Sequence, residues 1–432
     1  MRDLTPHFSQ SPRPPHWTTP LRPRLVAGNE VTLLQNGAEY FPALEHAMGV
    51  AKHTVFLESY LFEADPSGWR IARAMAAAAG RGVAVHLIID GFGCAAFDPA
   101  LGQHLQAAGV RIEVFRPENR ALLWSRKRLR RMHRKLAVID GEIAFVGGIN
   151  VIDDQIDPNH GALAAPRADF AVQLRGPIVA SVHLAAWRLW WQLTVTNMPF
   201  RMRMQMGKGS RHGPERRRAP LSRMPDPPGP APAVAGRLRA MLVLRDNLRL
   251  RHAIERAYLR AIGRARQDIL IACAYFVPGL RFRRALRAAA RRGVRVRLLL
   301  QGREEYRLPH WAQQAMYGEF LSAGIEIIEY QPSFLHAKAA VIDDWATVGS
   351  SNIDPFSLLL AREANIVVIN SEFAQVLRSA IERLIEHGGR PLVPTRHARR
   401  GLAARCLQAF AFALLRAMVA ISGHGTGDRV RF

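Results

Sequence analysis

Two histidines, each followed two residues later by a lysine, are the groups of this 432-residue chain best placed to do chemistry. The first lies in His133-Arg-Lys135-Leu-Ala-Val-Ile-Asp140, the second in His336-Ala-Lys338-Ala-Ala-Val-Ile-Asp343. Each motif runs on to a glycine turn that ends in asparagine, Gly147-Gly148-Ile149-Asn150 and Gly349-Ser350-Ser351-Asn352. Lysine is scarce, with only 5 among 60 basic residues, so two His-x-Lys repeats stand out against an arginine-rich background. An imidazole can attack phosphorus or carry a proton, while ammonium and amide groups hold phosphoryl oxygens. With two such sets, one imidazole attacks while the other protonates the leaving oxygen.

The segments after the histidines are β-branched and apolar, which reads as strand. On a strand, residues i and i+2 share a face, so His133 points with Lys135 and His336 with Lys338. The repeat extends further. Thr54–Phe62 matches Ile269–Val277 as a strand. Arg70–Leu87 matches Phe282–Leu298 as an Ala-rich helix, a glycine cap and a buried strand. An Ala-Gly-Val or Ala-Gly-Ile step follows in both, at Ala108-Gly109-Val110 and Ala323-Gly324-Ile325. Strands alternating with helices predict an α/β fold, a largely parallel, helix-covered sheet in each half. A pseudo-twofold then brings the two motif strands together, with the active site at their interface.

Between the halves, Pro199 to Gly236 is rich in Arg, Pro, Gly and Met and carries Arg216-Arg217-Arg218. By composition it is a flexible basic linker. The expected division is an N-terminal tail over 1–30, halves over 31–198 and 237–395, the linker over 199–236, and an apolar, basic tail over 396–432. A net charge of +25 favours an anionic partner, whether phospholipid head groups, nucleic acid or another polyphosphate. Three widely spaced cysteines, Cys94, Cys273 and Cys406, suit neither a disulfide framework nor a zinc site, and fit a reducing compartment. The first residues carry no apolar signal core, and no run of 18 or more uncharged apolar residues predicts a transmembrane helix.

The doubled motif with its Gly-x-x-Asn turns resembles the phospholipase D superfamily. Arg130-Arg131-Met132-His133, Phe145–Asn150, Leu174–Val179, Ala274–Gly279 and Ala346–Pro355 narrow the resemblance to bacterial cardiolipin synthases of the B type. It spans about Val31 to Val393, the linker excepted. It implies two tandem α/β/α halves and a two-step phosphatidyl transfer. One histidine takes the phosphatidyl group and releases the head-group alcohol; the other protonates that alcohol and then deprotonates the incoming phosphatidylglycerol hydroxyl. No metal and no cofactor are implied. The candidate catalytic set is His133, Lys135, Asp140, His336, Lys338 and Asp343, within which the resemblance gives the two aspartates a structural part. Asn150, Asn352 and Ser350 are candidate phosphate ligands. Asp169 and Glu363 match the carboxylates that orient the histidines. Family analogy favours His133 as nucleophile, and donor identity, phosphatidylglycerol or phosphatidylethanolamine, stays open. Gly148, where relatives often carry Ser, and Ala361, where they commonly carry Asn, depart from the pattern.

The implied partners are anionic phospholipids and a membrane surface, with peripheral attachment to the cytoplasmic side of the bacterial inner membrane. No nucleic acid is expected and no protein partner can be inferred; a phospholipase D-type phosphodiesterase or nuclease is the competing activity. Two segments could meet lipid. Leu402 to Ser422 reads as a strongly apolar helix with Arg405 and Arg416 on one face, flanked by Arg396, Arg399 and Arg400. The alternative, a helix packed on the catalytic body, stays open. Arg120 to Arg134 combines Leu122, Leu123 and Trp124 with Arg126, Lys127, Arg128, Arg130, Arg131 and Arg134. Trp187, Trp190 and Trp191 read as packing against the sheet.

Overall fold

The computed structural model describes residues 21–117, 130–206, 225–246, 250–355, 357, 361–394 and 401–423; for 197–206, 404–405 and 418–423 only the backbone is described. The first half supplies β1 (Val26–Gln35), β2 (Thr54–Ser59), β3 (Ala84–Asp90), β4 (Arg111–Phe115), β5 (Lys135–Ile139), β6 (Ile143–Gly147), a ribbon of β7 (Ile156–Asp157) and β8 (Gly161–Ala162), and β9 (Phe170–Arg175). The second half supplies β10 (Leu238–Arg245), β11 (Asp268–Cys273), β12 (Arg295–Gln301), β13 (Glu326–Tyr330), β14 (Lys338–Ile342), β15 (Trp345–Gly349), β16 (Glu363–Ile369) and β17 (Gly389–Pro391).

Fifteen of these strands form one continuous sheet, in the order β17-β13-β12-β11-β14-β15-β16-β10-β1-β9-β6-β5-β2-β3-β4. β1 and β10 pair antiparallel at its centre, so the two halves share a seam rather than a linker alone. The expectation of a largely parallel sheet needs correction. Only β2-β3-β4 and β11-β12-β13 run parallel, while β5, β6 and β9, like β14, β15 and β16, pair antiparallel. The reason is local. After each motif strand the chain turns back within a few residues, and a tight turn leaves the next strand no choice but to run antiparallel.

Both sheet faces are covered, as alternating apolar residues require. Val55 and Leu57 of β2 pack with Leu44, Ile71, Met75 and Leu101 of the helices Asn36–Gly49, Pro66–Gly80 and Pro99–Ala107. Phe56, between them in sequence, faces the opposite way, into a cluster with Val182, Trp187 and Trp190 of the helix Val179–Met206. Helix starts are set by side chains: Asp65 accepts from Gly68 N at 2.7 Å and Asp98 from Leu101 N at 2.8 Å, each before a proline at the first helical position. Helix Val179–Met206 runs through Pro199, so the segment expected to open the linker is helical. The far end of that segment is tied down, with Trp187 Nε1 donating to Pro225 O at 2.9 Å and Ala235 N to Gly28 O at 2.9 Å. Arg216 to Arg218 lie outside the described residues.

His86 gives the core a pH dependence. Its ring is fully buried, stacked on Phe56 at 4.7 Å and edge-on to Trp190 at 4.4 Å, and neither nitrogen has a hydrogen-bond partner among the described residues. Burial, helped by Arg111, pushes its pKa down to about 3. The unfolded chain takes up a proton near pH 6.5 that the folded core refuses, so this residue makes stability fall as pH drops from 6.5 toward 3, by ~1.4 kcal/mol per pH unit at most. His86→Phe is expected to flatten that slope, as measured by urea unfolding at pH 7 and pH 5; an unchanged difference between the two pH values would refute it.

Candidate active site

The seam between the halves is stitched by reciprocal main-chain bonds beside each histidine. His133 N donates to Arg362 O at 2.9 Å and Arg362 N to Arg131 O at 2.7 Å. Across the pseudo-twofold, His336 N donates to Ala168 O at 2.8 Å and Ala168 N to Phe334 O at 2.9 Å. Arg362 precedes Glu363 and Ala168 precedes Asp169, so each histidine is laid against the carboxylate of the other half. His133 Nδ1 lies 3.0 Å from Glu363 Oε1, and His336 Nδ1 2.6 Å from Asp169 Oδ2. The carboxylates are exchanged. A carboxylate facing Nδ1 requires a proton there, which leaves each Nε2 to meet a substrate.

Lys135 and Lys338 share the faces of their histidines, and each ammonium donates to the carbonyl of the histidine two residues back, at 2.9 Å in the first half. Both lysines are buried. Burial pushes Lys135 down to about 7, against the pull of Glu363, and lowers Lys338. Burial also lowers both histidines, His336 furthest, where Lys338, Lys135, Arg167 and His133 add to it. Asp169 moves the other way, up to about 7, again through burial. Burial thus disfavours the charged form of both partners of the short Asp169–His336 contact. A phosphodiester entering here would reverse most of these shifts, because its negative charge favours every cationic form.

The turns after the motif strands hold Asn150 and Asn352, both buried. Asn150 Oδ1 accepts from Leu61 N at 3.2 Å, which leaves its NH2 for a phosphate oxygen. At the equivalent place in the second half, Phe276 N donates instead to Gln313 Oε1 at 3.0 Å, and Asn352 Oδ1 has no partner among the described residues. Ser350, expected to bind phosphate, is committed elsewhere. Its hydroxyl donates to Glu363 Oε2 at 2.5 Å and accepts from Ala364 N at 3.0 Å, so it braces the orienting carboxylate. Gly148 occupies the equivalent position, and a Cβ there would lie 2.3 Å from Asp169 Oδ1. The shorter carboxylate fills the place of the missing hydroxyl, which accounts for the departure in the first turn.

Asp140 and Asp343 do not belong in the catalytic set. Each ends its motif strand, roughly 20 Å from the histidine that begins it. Both adopt left-handed backbone, φ +52° and +51°, and serve as corner caps. Asp140 accepts from the amides of Lys52, His53 and Thr54, each at 2.8 Å, and Asp343 from those of Arg266, Gln267 and Asp268. Asp140→Ala is expected to cost about 1–3 kcal/mol of stability while sparing turnover per folded molecule. Denaturant midpoints together with activity normalised to folded protein check this, and loss of activity without loss of stability would restore the catalytic assignment.

Several site residues had no sequence signal beyond the repeat itself. Tyr60 packs edge-on to His133 at 4.9 Å, under Lys135 Nζ at 5.1 Å. Asp90 Oδ2 accepts from Met132 N at 2.8 Å, and Gln301 Oε1 from Leu335 N at 3.0 Å, each bracing the residue before a histidine. Buried Arg245 stands opposite Glu363 in the β10–β16 register and is electrostatically coupled to it. On the second half's side, the Tyr275 hydroxyl donates to Glu305.

The two segments expected to meet lipid differ. Of the basic run, 118–129, including Leu122, Leu123, Trp124, Arg126, Lys127 and Arg128, lies outside the described residues. Arg134 is turned inward, paired bidentately with buried Glu58 at 2.8 and 2.7 Å, and Arg131 lies over Phe92. Arg396, Arg399, Arg400 and the Arg405 side chain are also outside the description. The helix Leu402–Gly423 docks on Arg307–Gln314 through buried Gln408, Ala411 and Leu415, with Gln408 Nε2 donating to Gln314 Oε1 at 2.9 Å. Its opposite face is apolar and exposed, through Leu402, Leu407, Phe410 and Leu414. Packing and exposure thus occupy two faces of one helix. Among the described residues no helix is long and apolar enough to cross a membrane. Trp187 and Trp190 are buried against the sheet.

The family described as "Cardiolipin synthase, PLD-like domain" matches residues 44–171 and again 258–385. Cardiolipin synthase B of Escherichia coli is 37% identical over 359 residues, covering 83% of this chain and 81% of that protein. Cardiolipin synthase A of Pseudomonas fluorescens is 29% identical over 358 residues, 83% of this chain and 68% of that one. Among solved structures, the phosphatidylserine synthase of Haemophilus influenzae superposes with a TM-score of 0.63 at 11% identity, over 92% of this chain and 96% of that chain, which shows a shared fold.

Proposed function

The chain belongs to the cardiolipin synthase family of phospholipase D-like proteins, and from that premise we propose that it transfers a phosphatidyl group from a phospholipid donor to phosphatidylglycerol at the two-histidine seam. The observation that carries this reading is the exchanged pairing of His133 with Glu363 and His336 with Asp169, between two buried lysines.

The steps follow from the geometry. His133, held neutral by burial, attacks the donor phosphorus through Nε2. A P–N bond forms as the P–O bond to the head-group alcohol breaks, and His336, protonated on both ring nitrogens once the anionic phosphodiester is bound, gives its Nε2 proton to the departing oxygen. Lys135, Lys338 and the amides of Asn150 and Asn352 hold the phosphoryl oxygens as their charge grows. The hydroxyl of phosphatidylglycerol then enters, gives its proton to His336, and bonds to phosphorus as the P–N bond breaks. His133 is restored and cardiolipin leaves. Glu363 and Asp169 keep the rings oriented and steady whichever imidazole is cationic.

Mass analysis of lipids formed by the purified protein tests the reading. Phosphatidylglycerol alone is expected to yield cardiolipin and glycerol, and isotope-labelled phosphatidylethanolamine added to it reports whether that lipid also donates. Absence of any phosphatidyl transfer would overturn the assignment.

The lipid must be reached at its own surface, and the outward face of helix Leu402–Gly423 serves as the contact. Its partner is an anionic bilayer, to which a chain of net charge +25 is drawn. The attachment is peripheral, on the cytoplasmic leaflet. The helix rests on Arg307–Gln314, which begins directly after Tyr306 at the cleft, so insertion brings the site to the head groups. Burying Phe410 and Leu414 is worth about 1.5–3 kcal/mol each. Phe410→Glu with Leu414→Glu is therefore expected to weaken sedimentation with phosphatidylglycerol vesicles at least ten-fold. Unchanged sedimentation would leave this helix a packing role only.

A further inference from the structure

The two walls of the cleft are chemically unlike, although the fold that builds them is repeated. In the first half, Asp90 spends its carboxylate on the amides of Met132, Phe92 and Gly93 and on the Arg131 guanidinium, 3.7 Å away, which lies over Phe92. In the second half, neutral Gln301 does the same bracing, and the loop after β12 adds a further carboxylate, Glu305, followed by Tyr306. Glu305 takes a hydrogen bond from Tyr275, the counterpart of Tyr60, and lies close enough to Lys338 for each to shift the other. Tyr306 is half exposed, 6.3 Å ring to ring from Tyr275, and reaches electrostatically to Tyr60 across the cleft. One strand away, the bridge between Phe276 and Ile353 sets Asn352 beside Tyr275, and its buried amide oxygen has no partner among the described residues.

We propose that Glu305, Tyr275, Tyr306 and the Asn352 amide oxygen form a subsite for the spare hydroxyls of a polyol head group. The inference rests on the transfer reading above. In-line displacement places the departing and incoming alcohols opposite His133, hence beside His336, on this wall. A carboxylate and an amide oxygen accept hydrogen bonds, and the free hydroxyls of a glycerol head group donate them. A simple alcohol leaves both acceptors unanswered, which is how a polar site discriminates most strongly.

The test compares two soluble three-carbon acceptors, glycerol and 1-propanol, each offered to the full-length protein with phosphatidylglycerol-containing vesicles as donor. Phosphatidylpropanol and newly labelled phosphatidylglycerol are read by mass from the same reaction. The wild-type preference for glycerol over 1-propanol, as a ratio of kcat/KM, is expected to fall at least ten-fold in Glu305→Gln and several-fold in Tyr275→Phe, which keeps the ring in place. An unchanged ratio in both variants overturns the subsite, whatever happens to absolute rates. Should Glu305→Gln fail to fold, the Tyr275→Phe ratio decides alone. If the wild-type protein makes cardiolipin from those vesicles yet shows no preference for glycerol, the subsite is overturned; if it makes no cardiolipin and transfers to neither alcohol, the transfer reading itself has failed, and the two failures are told apart.

Discussion

Replacing either motif histidine by alanine should reduce cardiolipin formation at least 10³-fold, and the two variants should stall at different points. A nucleophile and its general acid contribute to one reaction coordinate, so removing either leaves only binding and charge stabilisation. His133→Ala removes the atom that bonds phosphorus, and no phosphatidyl-enzyme should form. His336→Ala keeps that atom but loses the proton donor and later base; a slow, trappable phosphatidyl-histidine should build up. Denaturant quenching at neutral pH of reactions run with isotope-labelled donor lipid, followed by intact-mass measurement, distinguishes them. Full turnover in either variant ends the two-histidine mechanism, and accumulation in His133→Ala instead would exchange the two roles.

The carboxylate variants carry the second large effect, and its direction depends on the exchange across the seam. Glu363→Gln and Asp169→Asn keep size and polarity but unsettle the tautomer of the ring each one faces, a change expected to cost about 10²–10⁴ in turnover. Glu363 faces His133, so its variant should slow formation of the phosphatidyl-enzyme. Asp169 faces His336, which acts in both steps, so its variant should slow formation and use alike and let the intermediate that does form persist. Pairing within each half would predict the reverse pattern, which makes the rapid-quench time course decisive.

These assignments also show which parts of the molecule a linear reading can reach. His133 with Lys135, and His336 with Lys338, were legible because two residues on one strand share a face whatever surrounds them. The carboxylates were legible as residue types, but not their partners, since the pairing spans 230 and 167 residues and is set by main-chain bonds across the seam. Asp140 and Asp343 are adjacent to the chemistry in sequence and distant in space, because a strand carries its two ends apart. Ser350 was misassigned because a hydroxyl near phosphate ligands carries no mark of which acceptor it will meet. Periodicity identified the helix Leu402–Gly423, yet a helix apolar except for a narrow polar stripe does not say which face will dock, and the structure divides the two uses between its sides. The strand order escaped because a short turn after each motif outweighs the βα alternation that precedes it. Glu305 had one available signal: Gly91-Phe92-Gly93-Cys94 follows β3, whereas Gly302-Arg303-Glu304-Glu305 follows β12.

The interlocked histidines and carboxylates also determine when during synthesis the site can assemble. A ribosome delivers His133 long before Glu363 exists, and Asp169 long before His336. A nascent chain that ends before His336 therefore holds neither exchanged pair, and one that ends before Glu363 lacks the partner of His133. Competence arrives in a single late event, when the second lobe closes on the first, and such distant contacts are slow to make. The two-histidine site is thus absent until both halves have been made and have met across the seam.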